Sequence, residues 1–244
     1  MIEPNKNTRL ERRSWRTWPV VRWGLRRNAT LLVALALLGL SVMGFIEVAE
    51  EVLEGGWRGF DESVLLALRT PGAPDDPIGP PWIEEIVRDF TALGGLGVVT
   101  LITAAVCGSL LIARRHSTAL YILVAVGGGA LMSTLLKHGF DRPRPSLVAH
   151  GMHAYQSSFP SGHSMMSAVV FLTIGALLAR LQEQRQQRFY IMGVAVIVVI
   201  LVGVSRVYLG VHWPTDVVAG WLAGAAWAMI CWLGALWLNR PGRE

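Results

Sequence analysis

Six stretches of this chain contain no Asp, Glu, Lys or Arg: residues 30–46, 92–113, 119–136, 165–179, 189–204 and 217–238. Their lengths are 17, 22, 18, 15, 16 and 22 residues. A helix rises about 1.5 Å per residue, so about 20 apolar residues cross the hydrocarbon core of a bilayer. The shorter runs reach that length by borrowing flanks such as Arg180 and Arg188, whose long side chains snorkel to the interface. Only 16% of the 244 residues are charged and 52% are hydrophobic, with a mean hydropathy of +0.44. A water-soluble domain carries about a quarter charged residues, so this composition argues against one. It also excludes a disordered chain, which lacks apolar surface to bury. Glycines inside the runs (Gly94, Gly95, Gly97, Gly127, Gly128, Gly129, Gly220, Gly224) suit close helix contacts in lipid. The expected fold class is all-α: a six-helix transmembrane bundle over residues 30–238.

The basic excess is local. Residues 1–29 hold eight basic and two acidic residues, so their net charge is +6 and the remaining chain sums to −1. A basic arm with Trp15, Trp18 and Trp23 could bind nucleic acid. An apolar run follows at once, which favours a cytoplasmic arm on anionic headgroups and no nucleic-acid partner. After the first run comes Glu47-Val48-Ala49-Glu50-Glu51, with no small-residue cleavage site, so the run reads as a retained signal anchor. Alternate loops carry 15 basic residues on the side of 1–29, 114–118, 180–188 and 239–244, against 7 on the other. Both termini, including the short 239–244 tail, are therefore expected in the cytoplasm of a multi-pass cell-membrane protein.

The opposite, periplasmic or extracellular, side holds the acidic segment 47–91. Within it, Phe60, Val64 and Leu68 have helical spacing, which predicts a short interfacial helix between spans one and two. Five prolines over 71–81 predict an extended loop. Cys107 and Cys231 sit in apolar runs and read as small core residues.

That outer side also carries Lys137, Arg142, Arg144 and Arg206, and five of the six histidines. Basic residues are disfavoured there, so they need a reason. Arg142, His138, His150 and His153 read as ordinary loop residues. His150 and His153 are the one close pair that could suggest a metal, but no carboxylate lies near them. The remaining residues fall into three blocks. Lys137 closes span three, and Arg144-Pro145 follows where prolines stop the helix. Arg offers phosphate a planar fork and Lys a point charge. Pro160-Ser161-Gly162-His163 precedes span four. Ser161 suits a helix cap, and Gly162 lets backbone amides approach an oxyanion. Ser205-Arg206 is followed by His212 and Asp216. If the turn before span six is helical, His212 and Asp216 share a face, and the carboxylate fixes the imidazole tautomer.

Three cations, a loop of oxyanion donors and two histidines suit phosphoryl transfer through a phosphohistidine. His212 would attack phosphorus. His163 would protonate the leaving group. Lys137, Arg144, Arg206, Ser161 and the Gly162 amide would hold the phosphate oxygens. Pro145, Pro160 and Ser205 support these positions.

These blocks resemble the three signatures of the type 2 phosphatidic acid phosphatase superfamily. All eleven specified residues are present in order: Lys137, Arg144, Pro145; Pro160, Ser161, Gly162, His163; Ser205, Arg206, His212, Asp216. The resemblance implies the same residue roles and a reaction with no metal or other cofactor. The vanadium haloperoxidases resemble the same site but are larger soluble proteins, and six apolar spans disfavour that branch. Substrates in the membrane branch include phosphatidic acid, phosphatidylglycerol phosphate, undecaprenyl diphosphate and lipid A phosphates. A lipid phosphate among membrane lipids is thus the expected partner, with undecaprenyl diphosphate and phosphatidylglycerol phosphate favoured. A non-enzymatic lipid-phosphate binding or transport protein is the rival reading; a conduction path would need charges within the spans, and the six runs contain none.

Overall fold

The computed structural model describes residues 18–146 and 157–238. The chain divides into two compact units, residues 1–37 and 38–244. The first holds the leading stretch of α1 (Trp18–Glu54). That helix starts inside the basic arm and not at residue 30. Residues 1–17, and the 239–244 tail, lie outside the described residues.

The second unit holds the rest of α1 and every other element. These are α2 (Arg58–Ala67), β1 (Arg69–Thr70), β2 (Ala73–Pro77), α3 (Pro81–Ala92), α4 (Leu96–Ile112), α5 (His116–Gly139), α6 (Gly162–Arg180), α7 (Arg185–Tyr208) and α8 (Pro214–Leu238). The protein is mostly helical. Among the described residues, the apolar part of α1 together with α5, α6, α7 and α8 make five helices long and apolar enough to cross a membrane. A sixth crossing exists if α3 and α4, bent by 49° at their junction, count as one span. The charge-free run 92–113 is therefore not one continuous helix: α3 ends at Ala92 and α4 begins at Leu96. Gly94 and Gly95 break it, and glycine pairs are common causes of sharp kinks. A β-carbon on Gly94 would stand 2.6 Å from Val202 Cγ1 and 2.8 Å from the His163 carbonyl. The break therefore lets the chain press against α6 and α7.

Two further expectations change. Residues 71–81 are not wholly irregular: β1 and β2 form a small antiparallel ladder, with Arg69 opposite Pro77 and Thr70 opposite Ala73. Gly72 makes the turn at φ +82°, which a side chain would strain. The short helix predicted near residues 57–70 exists as α2, but its inward face is Asp61, Val64, Leu65 and Leu68. Leu65 packs on Val207 and Val217, with Val64 and Leu68 alongside, while Phe60 is half exposed and meets the Trp57 ring edge-on.

Helix α6 is the centre of the bundle and packs on α5, α7 and α8. The shortest charge-free run thus lies inside a 19-residue helix, which borrows Gly162, His163, Ser164 and Arg180 from its flanks. Small residues bring α8 close: a β-carbon on Gly220 would lie 2.6 Å from the Ser161 carbonyl oxygen. Indole donors tie the helices across their faces, Trp227 to the Ala125 carbonyl at 2.8 Å and Trp221 to that of Val199 at 3.0 Å. Outside, large apolar side chains face away from the protein, among them Leu96, Leu101, Leu120 and Ile197. That exterior suits hydrocarbon and not water.

Candidate active site

All three motif blocks meet at one end of the bundle. Lys137 lies in the last turn of α5. Prolines then force an extended path through Arg142, Arg144 and the fully buried Pro145. The chain returns through Ser157–Ser161, with a cis peptide between Phe159 and Pro160. Phe159 is wholly buried against Phe140 and Phe45, which anchors this approach. Ser161 is the N-cap of α6, and its hydroxyl oxygen accepts from the Ser164 amide at 3.5 Å and the Ser164 hydroxyl at 3.0 Å. The Ser161 hydrogen remains available to donate. Gly162 stands over Lys137: a β-carbon there would lie 3.4 Å from Lys137 Nζ.

The third block turns back sharply. α7 ends at Tyr208, beyond Ser205, and Ser205 Oγ donates to the Val202 carbonyl at 2.6 Å. Gly210, at φ +72°, then reverses the chain, and the Gly210 and Val211 amides donate to the carbonyls of Val207 and Arg206. Glycine in the left-handed region is the usual end to a helix. The reversal drops His212 just before α8, so that it precedes the helix. Asp216 sits in the first turn and accepts from the Trp213 amide at 3.0 Å through Oδ2, the reciprocal half of a capping box.

His212 is 1% exposed. Its Nδ1 lies 3.5 Å from Asp216 Oδ2 and 3.3 Å from Ser158 Oγ, and Ser158 Oγ itself donates to Asp216 Oδ2. Ser158 thus stands between ring and carboxylate as a relay. With Nδ1 carrying the hydrogen, Nε2 keeps its lone pair and faces Arg144 Nη1 at 3.5 Å. Burial pushes the His212 imidazole down to about 4; the Asp216 hydrogen bond and charge oppose that, and the charges of Arg206 and Arg144 add to it. The ring is neutral at physiological pH, as a nucleophile must be.

Arg144 Nη1 donates to the Val211 carbonyl at 2.9 Å, and Arg206 Nη1 to Thr91 Oγ1 on α3 at 2.9 Å. The Nε atoms of both are buried with no hydrogen-bond partner in the protein. Among the described residues, Lys137, Arg144 and Arg206 make no ion pair with a carboxylate. Buried donors normally find partners, and these two Nε atoms have none within the protein. His163 is close enough to Arg206, His212, Lys137 and Arg144 to interact with each electrostatically. Beside it a cavity of about 210 Å³ runs between α4, α5 and α6, lined by Val99, Met166, Ser133, Gly94 and Gly162.

Arg142, expected to be an ordinary loop residue, is corrected by these contacts: its Nη1 reaches Asp216 Oδ1 at 2.5 Å and its Nη2 reaches Asp61 Oδ2 at 2.6 Å. Ser158, Thr91 and Asp61 were not singled out by the sequence either. Only Asp61 carried a signal, being an acidic residue on the apolar face of α2. Among the described residues no group of three or more His, Cys, Asp or Glu side chains converges for a metal ion. His150 and His153 lie outside the described residues.

Apolar helices of membrane-spanning length, with Lys137, Arg144, Arg206 and two histidines gathered at one end of their bundle, describe a multi-pass membrane protein. Residues 118–240 match the PAP2 superfamily, and the chain belongs to that family. It is 34% identical over 148 residues to phosphatidylglycerophosphatase B of Bacillus subtilis, covering 59% of this chain and 71% of that protein. It is 30% identical over 152 residues to the putative undecaprenyl-diphosphatase YbjG of Escherichia coli, covering 61% and 71%. The crystal structure of a transmembrane PAP2-type phosphatidylglycerolphosphate phosphatase from Bacillus subtilis has a TM-score of 0.75 at 27% identity, covering 84% of this chain and 98% of that one.

Proposed function

We propose that this protein is an integral membrane lipid-phosphate phosphatase that works through a phosphohistidine without a metal or other cofactor. The observation that carries the reading is the set of three cations, Arg206 buried and Lys137 and Arg144 half-buried, with no carboxylate ion pair among the described residues, beside the Nε2 edge of the neutral His212 ring. Lys137, Arg144 and Arg206 hold the non-bridging phosphate oxygens, with the Ser161 hydroxyl and Gly162 amide completing the seat. His212 Nε2 attacks phosphorus and forms a P–N bond as the bond to the leaving oxygen breaks. His163 gives that oxygen its proton. In the second step His163 takes a proton from water, the water oxygen attacks phosphorus, and the P–N bond breaks to release phosphate. Asp216, through Ser158, stabilises the imidazolium character that His212 gains on phosphorylation.

The apolar cavity reaching His163 supports a lipid leaving group. The names of the relatives support phosphatidylglycerol phosphate and undecaprenyl diphosphate as substrates. The six charge-free runs support six crossings within a single domain over 30–238, and the excess of basic residues on the opposite side supports both termini cytoplasmic, with α2 and the active end on the periplasmic or extracellular face. The basic arm then lies against cytoplasmic lipid headgroups.

The test is phosphate release by purified protein in detergent with EDTA, using undecaprenyl diphosphate, phosphatidylglycerol phosphate, phosphatidic acid and a lipid A phosphate. Release from at least one, abolished in His212→Ala, is expected. Silence across the panel in folded protein, or loss of activity with EDTA, refutes the reading.

A further inference from the structure

We propose that Asp61 on α2 is a positioning residue for the phosphoryl-transfer reaction: through Arg142 and Thr215 it holds the groups that orient His212. This inference rests on the function proposed above and names a residue outside the three motif blocks.

Asp61 is completely buried, and each of its oxygens is used. Oδ1 accepts from the Thr215 amide at 3.0 Å. Oδ2 accepts from the Thr215 hydroxyl at 2.6 Å and from Arg142 Nη2 at 2.6 Å. The first bond is a helix cap delivered from another element. The opening amides of α8 have no partner within the helix, and a carboxylate at that end is stabilised by the helix dipole. The second and third close a ring: Arg142 Nη1 donates to the Thr215 hydroxyl at 2.8 Å and to Asp216 Oδ1 at 2.5 Å.

Arg142 is therefore shared between two carboxylates, while its neighbours Lys137, Arg144 and Arg206 have none. Its backbone carries the effect further. The Arg142 carbonyl accepts from the Ser158 amide at 2.9 Å. One residue thus holds both groups that lie against His212 Nδ1, the Asp216 carboxylate and the Ser158 hydroxyl. Asp61 fixes the outer end of that guanidinium. Leu65, one turn along α2, locks the helix onto Val207 and Val217, so Asp61 is presented from a rigid support. Without Asp61, Arg142 loses one of its two anchors, and the first turn of α8 loses its cap. Asp216 and Ser158 then lose their register against the ring. Asp61 bonds to Arg142 and Thr215 and not to Lys137, Arg144 or Arg206, so the effect belongs in turnover and not in substrate binding.

The experiment uses the full-length protein in detergent, with whichever lipid phosphate of the panel the wild type hydrolyses fastest. Asp61→Asn, Arg142→Gln and the double variant are compared. Misplacing reacting groups by about 1 Å costs up to about 100-fold, so Asp61→Asn is expected to lower kcat by about 10–100-fold with KM within about twofold. The double variant is expected to be no worse than Arg142→Gln alone, because the two act as one unit. If Asp61→Asn is not recovered folded, Thr215→Val removes the bridging hydroxyl and keeps the amide; it is expected to lower kcat about 3–10-fold with the same unchanged KM. A lowered melting temperature with wild-type kcat in the folded fraction overturns the inference, as does an equal Asp61→Asn loss in the Arg142→Gln background. Wild-type protein that hydrolyses no lipid phosphate refutes the proposed function, and this inference with it. An active wild type with undiminished variants refutes this inference alone.

Discussion

Gly220→Ala places one methyl group where α8 crosses the start of α6. The new β-carbon would lie 2.6 Å from the Ser161 carbonyl oxygen, 2.9 Å from Ser164 Cβ and 3.2 Å from the Met165 amide nitrogen. Two of those three atoms are backbone, so no rotamer change relieves the contact. Ordinary contact lies near about 3.5 Å, so the α6 terminus must retreat by roughly 0.5–1 Å. It is not free to do so. The Ser161 amide donates to the Asp216 carbonyl on α8 at 2.9 Å, and that bond ties the second motif to the third. Overpacking of this kind costs about 1–3 kcal/mol. The displaced groups are Ser161, Gly162 and His163, so a shift approaching about 1 Å should also lower turnover by about 100-fold. The control is Gly127→Ala in α5, where a β-carbon meets nothing within 4 Å. There alanine relieves the backbone-entropy cost of glycine and should be neutral or slightly stabilising. Thermal unfolding in detergent and phosphate release, measured on both variants, decide the matter. Gly220→Ala with the melting temperature and turnover of Gly127→Ala would refute the reasoning.

Two further outcomes are expected from the same geometry. Ser158→Ala removes the hydroxyl between His212 Nδ1 and Asp216 Oδ2, should cost about 1–2 kcal/mol of stability, and should lower kcat at least about 10-fold with KM unchanged; initial rates check this, and wild-type kcat would rule out the relay. The His212 imidazole, pushed down to about 4 by burial, stays neutral in the folded protein where the unfolded chain begins to protonate near 6.5. The unfolded state binds the extra proton between those values. This contribution to stability is therefore complete above about pH 6.5 and is lost as pH falls towards about 4. The acid limb of kcat/KM attributable to His212 belongs at the lower value; detergent melting and initial rates across that range test both, and a limb near 6.5 would contradict the buried, neutral ring.

Much of the bundle was legible because a bilayer imposes a coarse rule. A charge-free run near 20 residues is readable without knowing any contact. The break at Gly94-Gly95 was not legible, since glycines also occur in unbroken helices and only the approach of Val202 and His163 distinguishes this pair. The residue that starts the inward face of α2 was not legible. Spacing placed Phe60 with Val64 and Leu68, whereas the buried carboxylate of Asp61 takes that place because Arg142 and Thr215 compensate it.

The sequence by itself marked the three blocks that the structure gathers: the cations, the two histidines and the turn-forming prolines and glycines fall at spacings that local backbone geometry can be read from. It also determined that these blocks share one end of the helices, because apolar runs of near-constant length alternate the loops between two sides. Tertiary structure alone decided how the blocks engage. Ser158 enters between His212 and Asp216, Arg142 bridges two carboxylates, and Thr91 meets Arg206 across 115 positions of chain. Side-chain partners so far apart in sequence follow from packing distances of a few ångströms, and no local pattern encodes them.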